Sequence, residues 1–151
     1  MKYRMKIATD NDISELYELQ ILAFESEAEM IGSREVPALK ETKEHNREDF
    51  ANWITLKLVN ESDKIIGAIR YREQEGMIEI GRLMVHPEYR QRGFAMFMIS
   101  EVDKMCPNQV KELYTCSKSW KNLRLYEKMG FVPFKEVIEG NGLSFVYMRK
   151  M

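Results

Sequence analysis

Met77-Ile78-Glu79-Ile80-Gly81-Arg82-Leu83-Met84-Val85-His86-Pro87-Glu88-Tyr89-Arg90-Gln91-Arg92-Gly93-Phe94-Ala95 is the stretch that decides the reading of this chain. Its first nine residues carry the apolar content of a strand, which ends at His86-Pro87 because proline cannot extend a hydrogen-bonded ladder. Past Gly93, Phe94, Phe97, Met98, Val102 and Met105 recur at helical spacing. The segment is therefore a strand, a basic glycine turn and a helix. A helix start presents backbone N–H groups without intrahelical partners, together with the positive end of the helix dipole, and so attracts phosphate. Gly93 lets the backbone approach an anion with no Cβ in the way, small Ala95 does likewise, and Arg90 and Arg92 add cationic donors. The turn lacks the Gly-Lys-Ser/Thr of a Walker loop and the three-glycine spacing of a dinucleotide fingerprint.

Upstream, residues 3–8 read as a strand, and Thr9-Asp10-Asn11-Asp12 supplies capping side chains before Ile13, Leu16, Tyr17, Ala23 and Phe24 at helical spacing. Glu25 to Arg47 is acidic, contains Gly32 and Pro37, and reads as a loop leading into a second short helix near Leu39. Trp53 to Val59 alternates as a strand, Glu61-Ser62-Asp63 turns it, and Lys64 to Glu73 returns as a hairpin. Downstream, Val110 to Cys116 makes a strand, Ser117 or Ser119 caps a helix running to Met129, and Gly130 stops it. Phe131 to Glu139 and Leu143 to Arg149 flank Gly140-Asn141-Gly142, which predicts a closing antiparallel pair. The expectation is a single domain over residues 1–151 of α/β (α+β) class. Its central sheet is mixed and mostly antiparallel, with six or seven strands, about four helices and a central β-α-β crossover.

Composition narrows the function classes. With 151 residues and 44% hydrophobic content, the chain is long enough to bury a core without disulfides. A formal net charge of -1 gives no bulk attraction to nucleic acid or to an anionic membrane, so any phosphate binding is local. Cys106 and Cys116 match neither a disulfide framework nor a zinc spacing, and they read as buried thiols in a reducing cytoplasm. His45 and His86 are the only histidines, and no metal site is expected. No signal peptide and no stretch of about 18 apolar residues is visible.

Two motifs together, Val85-His86-Pro87-Glu88-Tyr89-Arg90-Gln91-Arg92-Gly93-Phe94-Ala95 and Leu125-Tyr126-Glu127-Lys128-Met129-Gly130-Phe131, resemble the GNAT superfamily of acyl-CoA-dependent N-acyltransferases. The resemblance implies acetyl-CoA as co-substrate and coenzyme A as the bound nucleotide. By that resemblance the N–H groups of Gln91, Arg92, Gly93, Phe94 and Ala95 hold the pyrophosphate. The edge at Leu83, Met84 and Val85 pairs with the pantetheine arm through its backbone. Ser119 and Asn122 stand at the helix start where many members carry one asparagine, seven residues before the tyrosine. Ser119 occupies that position here, which puts the asparagine's contact in question. Members act as monomers or homodimers.

Transfer of an acyl group from a thioester to an amine needs a neutral amine, a stabilised oxyanion and a proton for the departing thiolate. An ammonium with pKa about 10 is mostly protonated at neutral pH, so a carboxylate base helps. Glu79 is the first candidate, with Glu75 and Glu25 behind it; the competing reading is a strand glutamate paired with Arg82 or Arg70. Tyr126 is the candidate acid, against a reading as core aromatic beside Leu123 and Met129. The resemblance places the oxyanion donor at a main-chain N–H near Leu83, where the strand bulges. Glu25, Glu27 and Glu29 make the acceptor side acidic. The expected function is acetyl transfer to a primary amine of a small molecule or protein, by direct attack in a ternary complex. A non-catalytic acyl-CoA-binding module is the alternative, and a nucleic-acid module is disfavoured by the near-zero charge.

Overall fold

The computed structural model describes residues 2–151. Twelve elements follow in the order β1 (Arg4–Ile7), α1 (Ile13–Ile31), α2 (Pro37–Lys40), α3 (Lys43–Asp49), β2 (Ile54–Val59), β3 (Ile65–Gln74), β4 (Met77–Val85), α4 (Phe94–Met105), β5 (Lys111–Cys116), α5 (Trp120–Lys128), β6 (Val132–Ile138) and β7 (Ser144–Lys150). The strands form one sheet in the order β1-β2-β3-β4-β5-β7-β6. Every neighbouring pair is antiparallel except β4 and β5, which are parallel and joined through α4, as the crossover requires. The expected mixed sheet with its β-α-β crossover is the one observed.

The near-continuous apolar run Ile65–Ile69 reflects a strand covered on both faces. Ile66 and Ile69 join Leu58, Leu113 and Met148 under Met98, Ile99 and Val102 of α4. Ile65 and Ala68 point the other way, against Leu16, Leu19 and Ala23 of α1. Each fully buried aliphatic side chain contributes about 1.5–3 kcal/mol, so these two layers fix the register of the central strands.

Two expectations change around α1. The helix does not end near Phe24 but continues to Ile31 and stops at Gly32, whose φ of 77° is left-handed. Ala28 and Ile31 keep its buried stripe going beneath the acidic residues that hid it. The segment after Gly32 then holds two short helices, α2 and α3, rather than one.

The parallel ladder between β4 and β5 is very short. Only Ile78 and Glu79 are in register with Lys111 and Glu112, after which the strands part. Just beyond, β4 bulges: Ala68 faces Met84 and Arg70 faces Gly81, so Arg82 and Leu83 share one position opposite Ile69. Arg82 takes a left-handed φ of 46° to do so. The bulge expected near Leu83 is thus present, and it stands at the mouth of the gap between β4 and β5.

Candidate active site

The gap opens into two adjoining spaces that share Phe24, Glu27, Leu83 and Asn122 as walls. The larger is a groove of about 470 Å³, bounded by Leu83, Met84 and Val85 of β4 and by Gly93, Phe94 and Ala95 at the start of α4. Gly93 is the N-cap of α4, with φ 78° and no side chain capping the helix, so the first N–H groups are left for a ligand. Gln91 is left-handed as well, at φ 61°. A Cβ built on Gly93 meets no atom within 4 Å, so the space beside this glycine is open. Glycine chemistry, an uncapped twelve-residue helix and an unpaired strand edge are the features that a pyrophosphate and an extended amide-bearing arm need, so these residues fit coenzyme A.

The two arginines of the turn are placed differently from the expectation. Arg90 lines the groove, but its guanidinium donates to the Ser26 hydroxyl and, at 3.2 Å, to the Ala23 carbonyl of α1. Arg92 lies outside both spaces, donates to the Tyr3 hydroxyl at 3.2 Å and stacks on Tyr89. Both side chains brace the turn, and the backbone faces the groove.

The smaller space, about 100 Å³, lies between the bulge, α2 and the β5–β7 sheet, and its walls include Glu27, Glu79 and Tyr126. Glu79 pairs with Arg72, its cross-strand neighbour on β3, at 3.0 Å; neither Arg82 nor Arg70 is the partner. Glu75 sits in the β3–β4 turn, and Glu25 pairs with Arg34; neither is a wall of either space. Tyr126 is buried, its ring edge-on to Phe131 with centroids 6.0 Å apart. Burial, and secondarily the Glu27 carboxylate, push its phenol well above the ordinary tyrosine range, so it holds its proton at neutral pH.

Glu27 is the residue that sequence reasoning placed only in an acidic patch. It stands four residues after Ala23 and four before Ile31, on the buried stripe of α1, and that spacing was the available signal. Its Oε1 accepts from the Ser119 hydroxyl at 2.7 Å and from Asn122 Nδ2 at 2.9 Å. Ser119 is the N-cap residue of α5, yet its side chain makes no capping bond; it is fully buried, lines neither space and holds Glu27. Asn122 lines both spaces.

Burial raises the Glu27 carboxyl above the unperturbed value of 4.5, outweighing the Ser119, Arg90 and Asn122 contributions that lower it. The folded protein thus binds this proton more tightly than the unfolded chain. The associated stability is complete below about pH 4.5 and is lost as pH rises through the folded-state pKa. Glu27→Gln keeps two acceptor bonds without the buried charge. Its Tm is expected to exceed that of the parent at pH 8 and to match it at pH 4, by about 2–4 °C for each kcal/mol relieved at this chain length. Thermal scans of both proteins across that range check the sign, and a constant difference between them rejects it.

Among the described residues no group of three or more His, Cys, Asp or Glu is gathered for a metal, and no helix is long and apolar enough to cross a membrane.

The architecture has many counterparts among solved structures. A GNAT family acetyltransferase from Streptococcus agalactiae superposes with a TM-score of 0.82 at 14% identity, covering 99% of this chain and 95% of that one. The PaiA N-acetyltransferase from Thermoplasma acidophilum, solved in complex with coenzyme A, gives 0.76 at 20% identity and 99% coverage of both chains. In sequence, the UPF0157 protein YqkA of Bacillus subtilis is 29% identical over 133 residues; the match covers 85% of this chain and 37% of that protein's length. Residues 18–151 match the acetyltransferase (GNAT) domain, and with the uncapped turn at Gly93 set against a parted β4 the chain belongs to the GNAT acetyltransferases.

Proposed function

We propose that residues 1–151 act as one domain that transfers an acetyl group from acetyl-CoA to a primary amine, with both substrates bound at once. The observation that carries this reading is the pair of adjoining spaces, one suited to coenzyme A, that meet at Glu27, Leu83 and Asn122. Acetyl-CoA supplies the activated acyl carbon. The N–H groups from Gln91 to Ala95 bind phosphate oxygens, and the free edge from Leu83 to Val85 orients the extended arm through backbone hydrogen bonds. The bulge frees the Leu83 N–H from the β3 ladder to donate to the thioester oxygen. Tyr126, protonated through neutral pH, delivers a proton to the leaving sulfur. Glu79, a wall of the smaller space, takes the proton of the amine, directly or through water; Glu27, already disposed to bind a proton, is the carboxylate at the junction itself. The two cysteines are buried free thiols, in keeping with a reducing cytoplasm.

Two observations favour a second reading, an acyl-CoA-binding module without turnover: Glu79 is tied to Arg72, and Ser119 is spent on Glu27. Coenzyme A release from acetyl-CoA, screened against a panel of small amines and peptides with mass analysis of products, separates the two. Turnover with at least one amine is expected. Tight acetyl-CoA binding with no turnover across the panel supports the module instead.

A further inference from the structure

The smaller space has a wall that acyl transfer alone leaves unused. Arg70 of β3 and Arg82 of the bulge both line it, with side chains only 14% and 17% exposed. Burial and the neighbouring Arg82 charge lower the Arg70 pKa to about 10, which leaves it cationic at neutral pH. Each guanidinium has a single long ion pair: Arg70 Nη1 is 3.4 Å from Asp49 Oδ2, and Arg82 Nη2 is 3.5 Å from Glu41 Oε1. Neither carboxylate is free for a two-pronged contact. Asp49 also accepts from Asn52 at 3.0 Å and from Trp53 Nε1 at 3.1 Å. Glu41 accepts from Gln20 at 2.9 Å and Asn46 at 3.0 Å, and its other oxygen is 2.6 Å from His45 Nδ1. The Nε atoms of both arginines are buried with no hydrogen-bond partner, although a guanidinium carries five N–H donors.

The arrangement is held open by packing. Arg70 lies over the Trp53 ring at 4.1 Å, and Arg72 lies over the same ring at 4.1 Å. The stack fits because residue 81 is glycine: a Cβ there stands 3.2 Å from the Trp53 ring and 3.4 Å from Arg70 Nε. The walls thus combine two cations, Arg70 and Arg82, with two carboxylates, Glu27 and Glu79.

We propose that Arg70 and Arg82 form an anion subsite and that the acceptor is a small amino acid, its carboxylate on the two guanidiniums and its amine toward Glu27 and Glu79. The Nη groups of the two arginines, held by one long ion pair each, can donate to an anion in the space, and planar guanidinium forks match a carboxylate better than a neutral group. The site's two charges of each sign suit a zwitterion and leave a polyamine with cations facing cations. This inference rests on the acyl-transfer reading for its amine end only.

The test uses the full chain with acetyl-CoA and matched triplets: free amino acids, their carboxamides and the corresponding decarboxylated amines. At least one free acid is expected to exceed its carboxamide in kcat/KM by about tenfold to a hundredfold, the range for a charge-assisted hydrogen bond. In Arg82→Gln that ratio is expected to collapse to within about twofold of unity, with partial recovery in Arg82→Lys. Should Arg82→Gln fail to fold, Arg70→Gln, which removes the other cation of the pair, carries the same expectation, with partial recovery in Arg70→Lys. Carboxamides or decarboxylated amines used as well as the acids, or a ratio unmoved by the substitutions, overturn the subsite while leaving acyl transfer intact. If no amine turns over, transfer fails and calorimetry on the coenzyme A-loaded protein decides the subsite. Amino-acid binding that Arg82→Gln abolishes sustains it, and absence of binding overturns it.

Discussion

Replacing Gly93 by valine is expected to weaken coenzyme A binding at least about a hundredfold, a loss of about 2.7 kcal/mol or more, while lowering Tm by about 2–8 °C. The backbone at residue 93 has φ 78°, a conformation that costs an L-residue about 1–2 kcal/mol and suits a β-branched side chain least of all. Nothing in the protein stands within 4 Å of the added Cβ, so no internal clash adds to that cost. The branch instead crowds the groove that Gly93 lines, where the proposed binding mode puts the phosphate oxygens. Gly93→Ala is expected to fall between parent and valine. Substituting Leu83 or Val85 is expected to matter less, because their contribution is through the backbone. Isothermal calorimetry with coenzyme A checks the series, and affinity unchanged in Gly93→Val sinks the assignment of the turn.

Tyr126→Phe is expected to lower kcat about a hundredfold or more, in the range of a lost general acid, and to leave the KM for acetyl-CoA within about twofold. The ring stays, so its edge-on contact with Phe131 and its place in the core with Leu113 and Met148 persist. Only the hydroxyl goes. Burial and the Glu27 charge keep that hydroxyl protonated through neutral pH, as a proton donor to a departing thiolate must be. A tyrosine serving as core filler alone predicts no change in kcat, and steady-state rates with any accepted amine distinguish the two.

What could be read from the chain, and what could not, divides along physical lines. The strand–turn–helix around Arg90 to Ala95 was legible because proline, glycine and a switch from strand to helical periodicity mark it within a few residues. The same holds for β2, β3 and the closing hairpin, whose turns are short and rich in glycine, asparagine or aspartate. The second half of α1 was not legible, since three glutamates alternate through it and only Ala28 and Ile31 show the buried face. Glu27 was obscured for the same reason: its burial depends on Ser119 and Asn122, more than ninety residues away. The Arg70–Trp53–Arg82 wall had no local signature at all. It arises where the β4 bulge, the Gly81 gap and the end of α3 converge, and no single window of sequence contains them. Local pattern therefore marked the turn and strand that border the larger groove, whereas the smaller space is a product of tertiary packing.

The parting of β4 from β5 has a further consequence for how the molecule avoids sticking to itself. Unpaired strand edges are templates for aggregation. The outer edges are blunted in ordinary ways: β1 has four residues and carries Arg4 and Lys6, while β6 contains Pro133, Lys135 and Glu136. The inner rims, Leu83 to Val85 and Leu113 to Cys116, are apolar and lack this protection, yet Phe24, Glu27 and Met30 of α1 wall one side of the gap and Asn122 and Leu125 of α5 another. Another protein's strand arriving with its own sheet is too broad for that slot, but a thin, flexible arm with amide groups is not. The fold can therefore keep unpaired backbone on offer in the middle of its sheet, with α1 and α5 walling off its approaches.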